Sequence, residues 1–150
     1  MGKNAEERTP FMRIMAIDYG DAHTGIAISD PTGFLAGFTT VINAYRPEAV
    51  AEQIAALARE HGVEELVLGH PINMDGTRGP RSEKAQAMKT LLEETTSLPV
   101  VLWDERRTTI DAHQILMGSG KNAKKRKKVV DAVAATLILE GYLTYKKHHG

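Results

Sequence analysis

Cysteine is absent from the 150 residues. That excludes disulfides and thiolate metal sites, and it suits a reducing compartment. Long apolar runs are missing too, since none approaches the ~20 residues that a membrane-spanning helix needs. The opening stretch, MGKNAEERTP, holds no hydrophobic segment of signal-peptide type. A cytoplasmic protein without a membrane partner is therefore the expectation. Aromatic residues make up only 5% of the chain, so its core must be built from Val, Ile, Leu, Ala and Met. Net charge is lacking as well: 19 basic residues balance 19 acidic ones, which argues against a uniformly polycationic nucleic-acid coat. What remains is ordinary for one globular domain, 42% hydrophobic and 25% charged. The expected organisation is a polar, flexible lead-in over 1–11, a single domain over 12–146 and a short tail over 147–150.

The even charge balance conceals a local patch. Between Asp104 and Lys128 stand eight basic residues, Arg106, Arg107, Lys121, Lys124, Lys125, Arg126, Lys127 and Lys128, against three acidic ones. Local patches of this kind attract polyanions. The hydrophobic pattern around it changes period along the chain. Met12 to Asp18 reads as a strand apolar on both faces, hence central; Thr24 to Ser29 and Leu35 to Ile42 follow after short turns, as an antiparallel meander. From Pro47 the spacing of Val50, Ile54, Leu57 and Ala58 is helical until Gly62. Glu65 to Gly69 reads as a buried parallel strand. Pro80 opens a second helix on Ala85, Met88 and Leu92, and Leu98 to Trp103 forms a fifth strand. A third helix carries Ala112, Ile115 and Leu116. After the lysine run comes a last helix with Val130, Val133, Ala134, Leu137, Ile138 and Gly141 on one face. The order βββ-αβ-αβ-α-α predicts an α/β fold, one five-stranded mixed sheet with helices on its faces.

Carboxylates at three places stand out against that frame. Asp18 closes an apolar central strand, where a charge is costly unless paired, hydrogen-bonded or metal-bound; before Gly20, turn capping is the plainer explanation. Asp104 and Glu105 end the fifth strand. Alternation forbids both from facing the same side, so one can point into a cleft while the other caps or pairs with arginine. Asp131 falls in the first turn of the last helix, just after six basic residues in the eight from Lys121 to Lys128, where the helix dipole and the lysines favour its ionised form. Such a set suits two Mg²⁺ or Mn²⁺ ions roughly 4 Å apart, which activate water and stabilise the leaving oxygen in phosphoryl transfer. Hard cations select oxygen ligands, so neither His nor Cys is required. The six histidines show no metal-ligand spacing and read as surface or loop residues, with His23 and His70 nearest the site. The Gly/Pro-rich loop from His70 to Gly79 lacks the ending of a P-loop. Asn73, Thr77, Arg78 and Arg81 nonetheless offer donors for phosphate oxygens. The run Lys124, Lys125, Arg126, Lys127 and Lys128 is a further phosphate-binding candidate, set beside Asp131.

Three blocks together resemble the YqgF/RuvX family: AIDYGDAHTGIAISD over 16–30, VLGHPINMDGTRGPRSEK over 67–84, and DERRTT over 104–109 with KKRKKVVDAVAA over 124–135. They occur in family order and span nearly the whole chain. The resemblance implies a ribonuclease H-like fold and divalent-metal nuclease chemistry. It implies pre-16S rRNA, in ribosome biogenesis, as substrate, with four-way DNA junctions as the alternative. A nucleic-acid-binding module of the same fold without turnover is the alternative from another class. The family's acidic positions fall on Asp18, Glu105 and Asp131. Two departures stand out. Where many members read glycine-threonine-lysine after the first aspartate, this chain has Gly20, Asp21 and Ala22, losing a cation and gaining a carboxylate. Related nucleases also take a second acid from the fourth strand, which here ends in Gly69 and His70, so Glu105 must reach in from the neighbouring strand.

Overall fold

The computed structural model describes residues 13–30, 36–70, 79–104 and 123–149, with 123–131 and 147–149 described by their backbone alone. The described strands are β1 (Ile14–Asp18), β2 (His23–Ser29), β3 (Ala36–Asn43), β4 (Glu65–His70) and β5 (Val100–Asp104). The described helices are α1 (Pro47–His61), α2 (Pro80–Thr96) and α3 (Ala123–His149). The strands form one sheet in the order β3-β2-β1-β4-β5. β2 runs antiparallel to β1 and β3, while β4 is parallel to β1 and β5. This is the ribonuclease H-like mixed sheet that the resemblance implies. Connection length explains the topology: the short turn after Asp18 allows only a hairpin, whereas α1 and α2 are crossovers long enough for parallel pairing.

Side-chain alternation divides the core into two layers. Met15, Ile17, Ile26, Ile28, Leu66 and Leu68 pack on one sheet face with Val50, Ile54, Met88 and Leu92 from α1 and α2. Ile14, Ala16, Ala27, Val67 and Trp103 pack on the other with Ala135, Ile138, Leu139 and Tyr142 of α3. α1 has Pro in its first turn and ends at Gly62, whose φ of 66° is the left-handed conformation that glycine adopts without strain. Val63 N–H then donates to the Ala58 carbonyl at 2.9 Å.

Two expectations about the last helix are corrected. The lysine run is not a connector and Asp131 is not in a first turn. α3 begins at Ala123, so Lys124–Lys128 form its opening turns and Asp131 is its ninth residue, counting 123 to 131. Ala, Lys and Arg are good helix formers, and no Gly or Pro interrupts them. At its ninth residue the helix dipole gives Asp131 little support, because that effect fades beyond the first turn. The buried stripe is also rotated. Ala135, Ile138, Leu139 and Tyr142 are buried, whereas Val133, Ala134, Leu137 and Gly141 are only half-buried. A helix apolar nearly all round does not reveal its inward face by apolarity alone. A polar anchor fixes this one: Tyr142 OH donates to Glu65 Oε2 and Lys146 Nζ to Glu65 Oε1, both at 3.1 Å. No helix among the described residues is long and apolar enough to cross a membrane. The helix expected on Ala112, Ile115 and Leu116 lies outside the described residues. β5 starts at Val100 rather than Leu98, whose N–H instead donates to Thr96 Oγ1 at 3.1 Å in the turn that ends α2.

Candidate active site

Asp18 stands at the carboxyl end of β1, paired in register with Gly25 of β2. It continues the alternation of Ile14 and Ala16, and so belongs to the sheet face covered by α3. On β4 the same face is taken by Glu65, Val67 and Gly69. Ile17 pairs with Leu68, so Gly69 falls one step on, beside Asp18, and offers no side chain. On β5 that face belongs to Val101 and Trp103, because Val100 and Leu102 pack in the opposite layer. Asp104 follows Val100 and Leu102, on the α1/α2 side and away from Asp18. The next residue, Glu105, lies outside the described residues, as do Arg106, Arg107, Asn73, Thr77 and Arg78.

His70 closes β4 in register with Asp104. It is not the surface or loop residue expected from the sequence. Only 6% exposed, it shares a 2.6 Å hydrogen bond through Nε2 with Ser82 Oγ in the first turn of α2. That bond ties the end of β4 to α2. His23 opens β2 and donates from Nδ1 to Asn43 Oδ1 at 2.6 Å.

The turn after Asp18 makes a contact that the sequence did not disclose. Asp21 accepts a 2.9 Å hydrogen bond from Lys84 Nζ of α2. That bond and the lysine's charge, with a smaller contribution from Arg81, hold the Asp21 carboxyl below the usual range. The pair is largely exposed and contributes little to stability. Its interest is positional, since it carries a cation back to this turn from 63 residues away. Only the helical offset of Arg81 and Lys84, three residues apart on exposed positions of α2, hinted that the two cations share a face. Tyr19 lies alongside, its phenol shifted above its ordinary value chiefly by burial and next by the charge of Asp21. Gly20 fits the turn because a Cβ there would collide with the His23 carbonyl oxygen.

Among the described residues no three His, Cys, Asp or Glu side chains come together to hold a metal ion. Of the residues expected to do so, Asp18 has a described side chain, Asp131 a described backbone, and Glu105 neither. Asp131 lies four residues before Ala135 in α3. Arg81 is exposed in the first turn of α2.

The family profile described as "RuvX: Holliday junction resolvase" matches residues 12–145. The chain belongs to the RuvX family. A candidate pre-16S rRNA nuclease of Halothermothrix orenii is 46% identical over 140 residues, 93% of this chain and 100% of that protein. Another, from Bacillus subtilis, is 42% identical over 134 residues, 88% of this chain and 97% of that one. Among solved structures, Thermus thermophilus RuvC in complex with a Holliday junction substrate superposes with a TM-score of 0.61 at 14% identity, covering 90% of this chain and 96% of that one. The large terminase nuclease of a thermophilic phage gives 0.54 at 11% identity, over 89% and 82%. At such identities these two structures establish the fold that the RuvX chain shares, and nothing about its substrate.

Proposed function

We propose that the chain is a divalent-metal-dependent nuclease that hydrolyses phosphodiester bonds of structured RNA, in maturation of the 5′ end of pre-16S rRNA. The observation that carries this reading is a family match across almost the whole chain, with Asp18 at the carboxyl edge of the central strand. Nucleic-acid binding and a divalent cation belong to the family's general chemistry; the finer assignments are our own.

The donor chemistry suits a hard cation. Asp18 supplies carboxylate oxygen at the sheet edge, beside the side-chain-free Gly69, and the chain holds no thiolate to attract a softer metal. Helix geometry supports Asp131 as a second ligand. The C-terminal part of α3 is anchored at Glu65, the amino end of β4. From Tyr142 back to Asp131 is eleven residues (142 minus 131), about 16 Å of helix. From Glu65 to Gly69 is about 13 Å of strand. A helix that leaves this anchor and packs across β1 and β2 would come to the level of Asp18 near Asp131. Alternation on β5 supports Glu105 rather than Asp104 as the third. Asp18, Glu105 and Asp131 would hold Mg²⁺ or Mn²⁺, two ions in this reading, which supply an activated water and neutralise charge on the phosphate. Lys124, Lys125, Arg126, Lys127 and Lys128, with Arg106, Arg107, Asn73, Thr77, Arg78 and Arg81, would hold backbone phosphates and orient the scissile bond.

The test is the Asp18→Asn variant on precursor 16S rRNA with Mn²⁺. Cleavage should fall by at least roughly 100-fold, with folding and RNA binding near wild type. Retained cleavage would contradict the assignment. The family's description as a junction resolvase favours one other reading, paired cuts in four-way DNA. That reaction needs two active sites on one junction, so preferential cleavage of junctions by a dimer would select it, and cleavage of RNA alone by a monomer would reject it.

A further inference from the structure

Two adjoining hollows open on the α1/α2 side of the sheet edge. The smaller, about 100 Å³, is walled by Tyr19, Gly20, Gly69, Arg81 and Lys84 among others. The larger, about 450 Å³, shares Tyr19, Asp21 and Lys84 with it and extends to Tyr45 and Glu48, over a floor that includes Met88 and Leu91. Together they form a continuous groove that starts beside the backbone flanking Asp18 and ends at Tyr45. Its volume falls in the range of small-ligand sites. Tyr45 is 81% exposed, the most exposed large hydrophobic residue described.

We infer that this groove is a subsite for a single-stranded flank of the nucleic-acid substrate, with a nucleobase in the larger hollow stacked on Tyr45. The inference rests on the nuclease reading for the identity of the substrate, but not on the catalytic carboxylates. Charge sets the orientation of the occupant. Arg81 and Lys84 lie at the end nearest the sheet edge and suit the phosphates of a strand leaving the active site. Asp21 and Glu48 face the larger hollow; they repel phosphate but accept hydrogen bonds from base amino groups, as carboxylates do from cytosine N4. The apolar floor and the tyrosine ring cover the base faces. A base bearing an exocyclic amine, with its phosphate directed toward Arg81, satisfies every wall. A duplex does not fit, because its bases are already stacked and paired. The Asp21–Lys84 pair sits where the two hollows join, so an incoming phosphate competes with Asp21 for the lysine.

The test uses the full chain with chelator present, so that binding is read without cleavage. Fluorescent single-stranded oligocytidine and oligouridine RNA and an RNA duplex are titrated against wild type, Tyr45→Ala, Tyr45→Phe and Glu48→Gln. Tyr45→Ala should weaken oligocytidine binding roughly 5- to 100-fold and leave duplex binding unchanged, while Tyr45→Phe keeps wild-type affinity. Glu48→Gln should narrow the preference for oligocytidine over oligouridine. Equal affinity of wild type and Tyr45→Ala for the single strand would overturn the inference, as would wild type failing to bind the single strand. Cleavage with Mn²⁺ is measured in parallel. A wild type that cleaves, with Tyr45→Ala binding normally, sinks the subsite and leaves the nuclease standing. A wild type that never cleaves, yet loses single-strand binding on Tyr45→Ala, does the reverse.

Discussion

At the edge where β1, β4 and β5 end, neighbouring strand residues face opposite ways, and that parity puts Asp104 on the side away from Asp18. From sequence, alternation showed only that Asp104 and Glu105 could not share a side; which one faced the cleft depended on what β5 packed against. The structure answers this for Asp104 alone, through Trp103, which lies against Tyr142 of α3 in an edge-on ring contact at 5.6 Å. Asp104 therefore points with His70 toward α2. Replacing Glu105 by Gln should cut metal-dependent cleavage by at least roughly 100-fold, whereas Asp104→Asn should change it only a few-fold. Steady-state cleavage of one RNA by both variants checks this, and the reverse ranking would mean that β5 is read in the wrong register.

Glu65 illustrates a residue whose role sequence could not reveal. It reads as the polar start of a buried strand, yet 77 residues on its partner Tyr142 fixes the rotation of α3. Burial, then the charge and hydrogen bond of Glu65, push the Tyr142 phenol far above its ordinary value. Unfolded tyrosine ionises near about 10, while the folded residue stays protonated higher, so this stability is fully present below about pH 10 and is lost as pH rises above it. Urea unfolding from neutral to strongly alkaline pH should show that decline, and Tyr142→Phe should flatten it. An unchanged slope would mean that the phenol is not held by Glu65.

Among the elements, those with strong punctuation were legible. Pro47 and Gly62 bounded α1, Pro80 opened α2, and the apolar runs of β1 and β4 marked central strands. α3 was not, for two physical reasons. A run of lysines looks like an interruption in the apolar pattern, although lysine's helix propensity is high; and with apolar residues on most sides of the helix, its buried stripe is set by a tyrosine–glutamate bond. Because α3 begins at Ala123, Lys124–Lys128 belong to its opening turns, before Asp131. Substituting these residues with glutamine should weaken RNA binding at low salt. It should also reduce the dependence of log affinity on log salt by about 0.7 to 0.9 for each phosphate no longer neutralised. Titration at several salt concentrations reads this directly. An unaltered salt slope would remove the run from the interface.

Over the whole molecule, zero net charge coexists with a marked division of labour. One sheet face carries Asp18 beneath α3; the other carries the Tyr19–Tyr45 groove between α1 and α2; the carboxyl edge joins them. Much of that layout was readable from periodicity and motif order, because a mixed sheet with two crossovers admits few topologies. The groove was not, because Asp21, Tyr45 and Lys84 come from three separate segments and meet only after folding. Metal-dependent hydrolysis at Asp18 remains the central claim. Its most direct measurement is cleavage of precursor 16S rRNA by wild type and Asp18→Asn, each with Mn²⁺ and with chelator. Product from wild type with metal alone, and almost none from the folded, RNA-binding variant, is the predicted result. Cleavage that survives either the chelator or the substitution would contradict it.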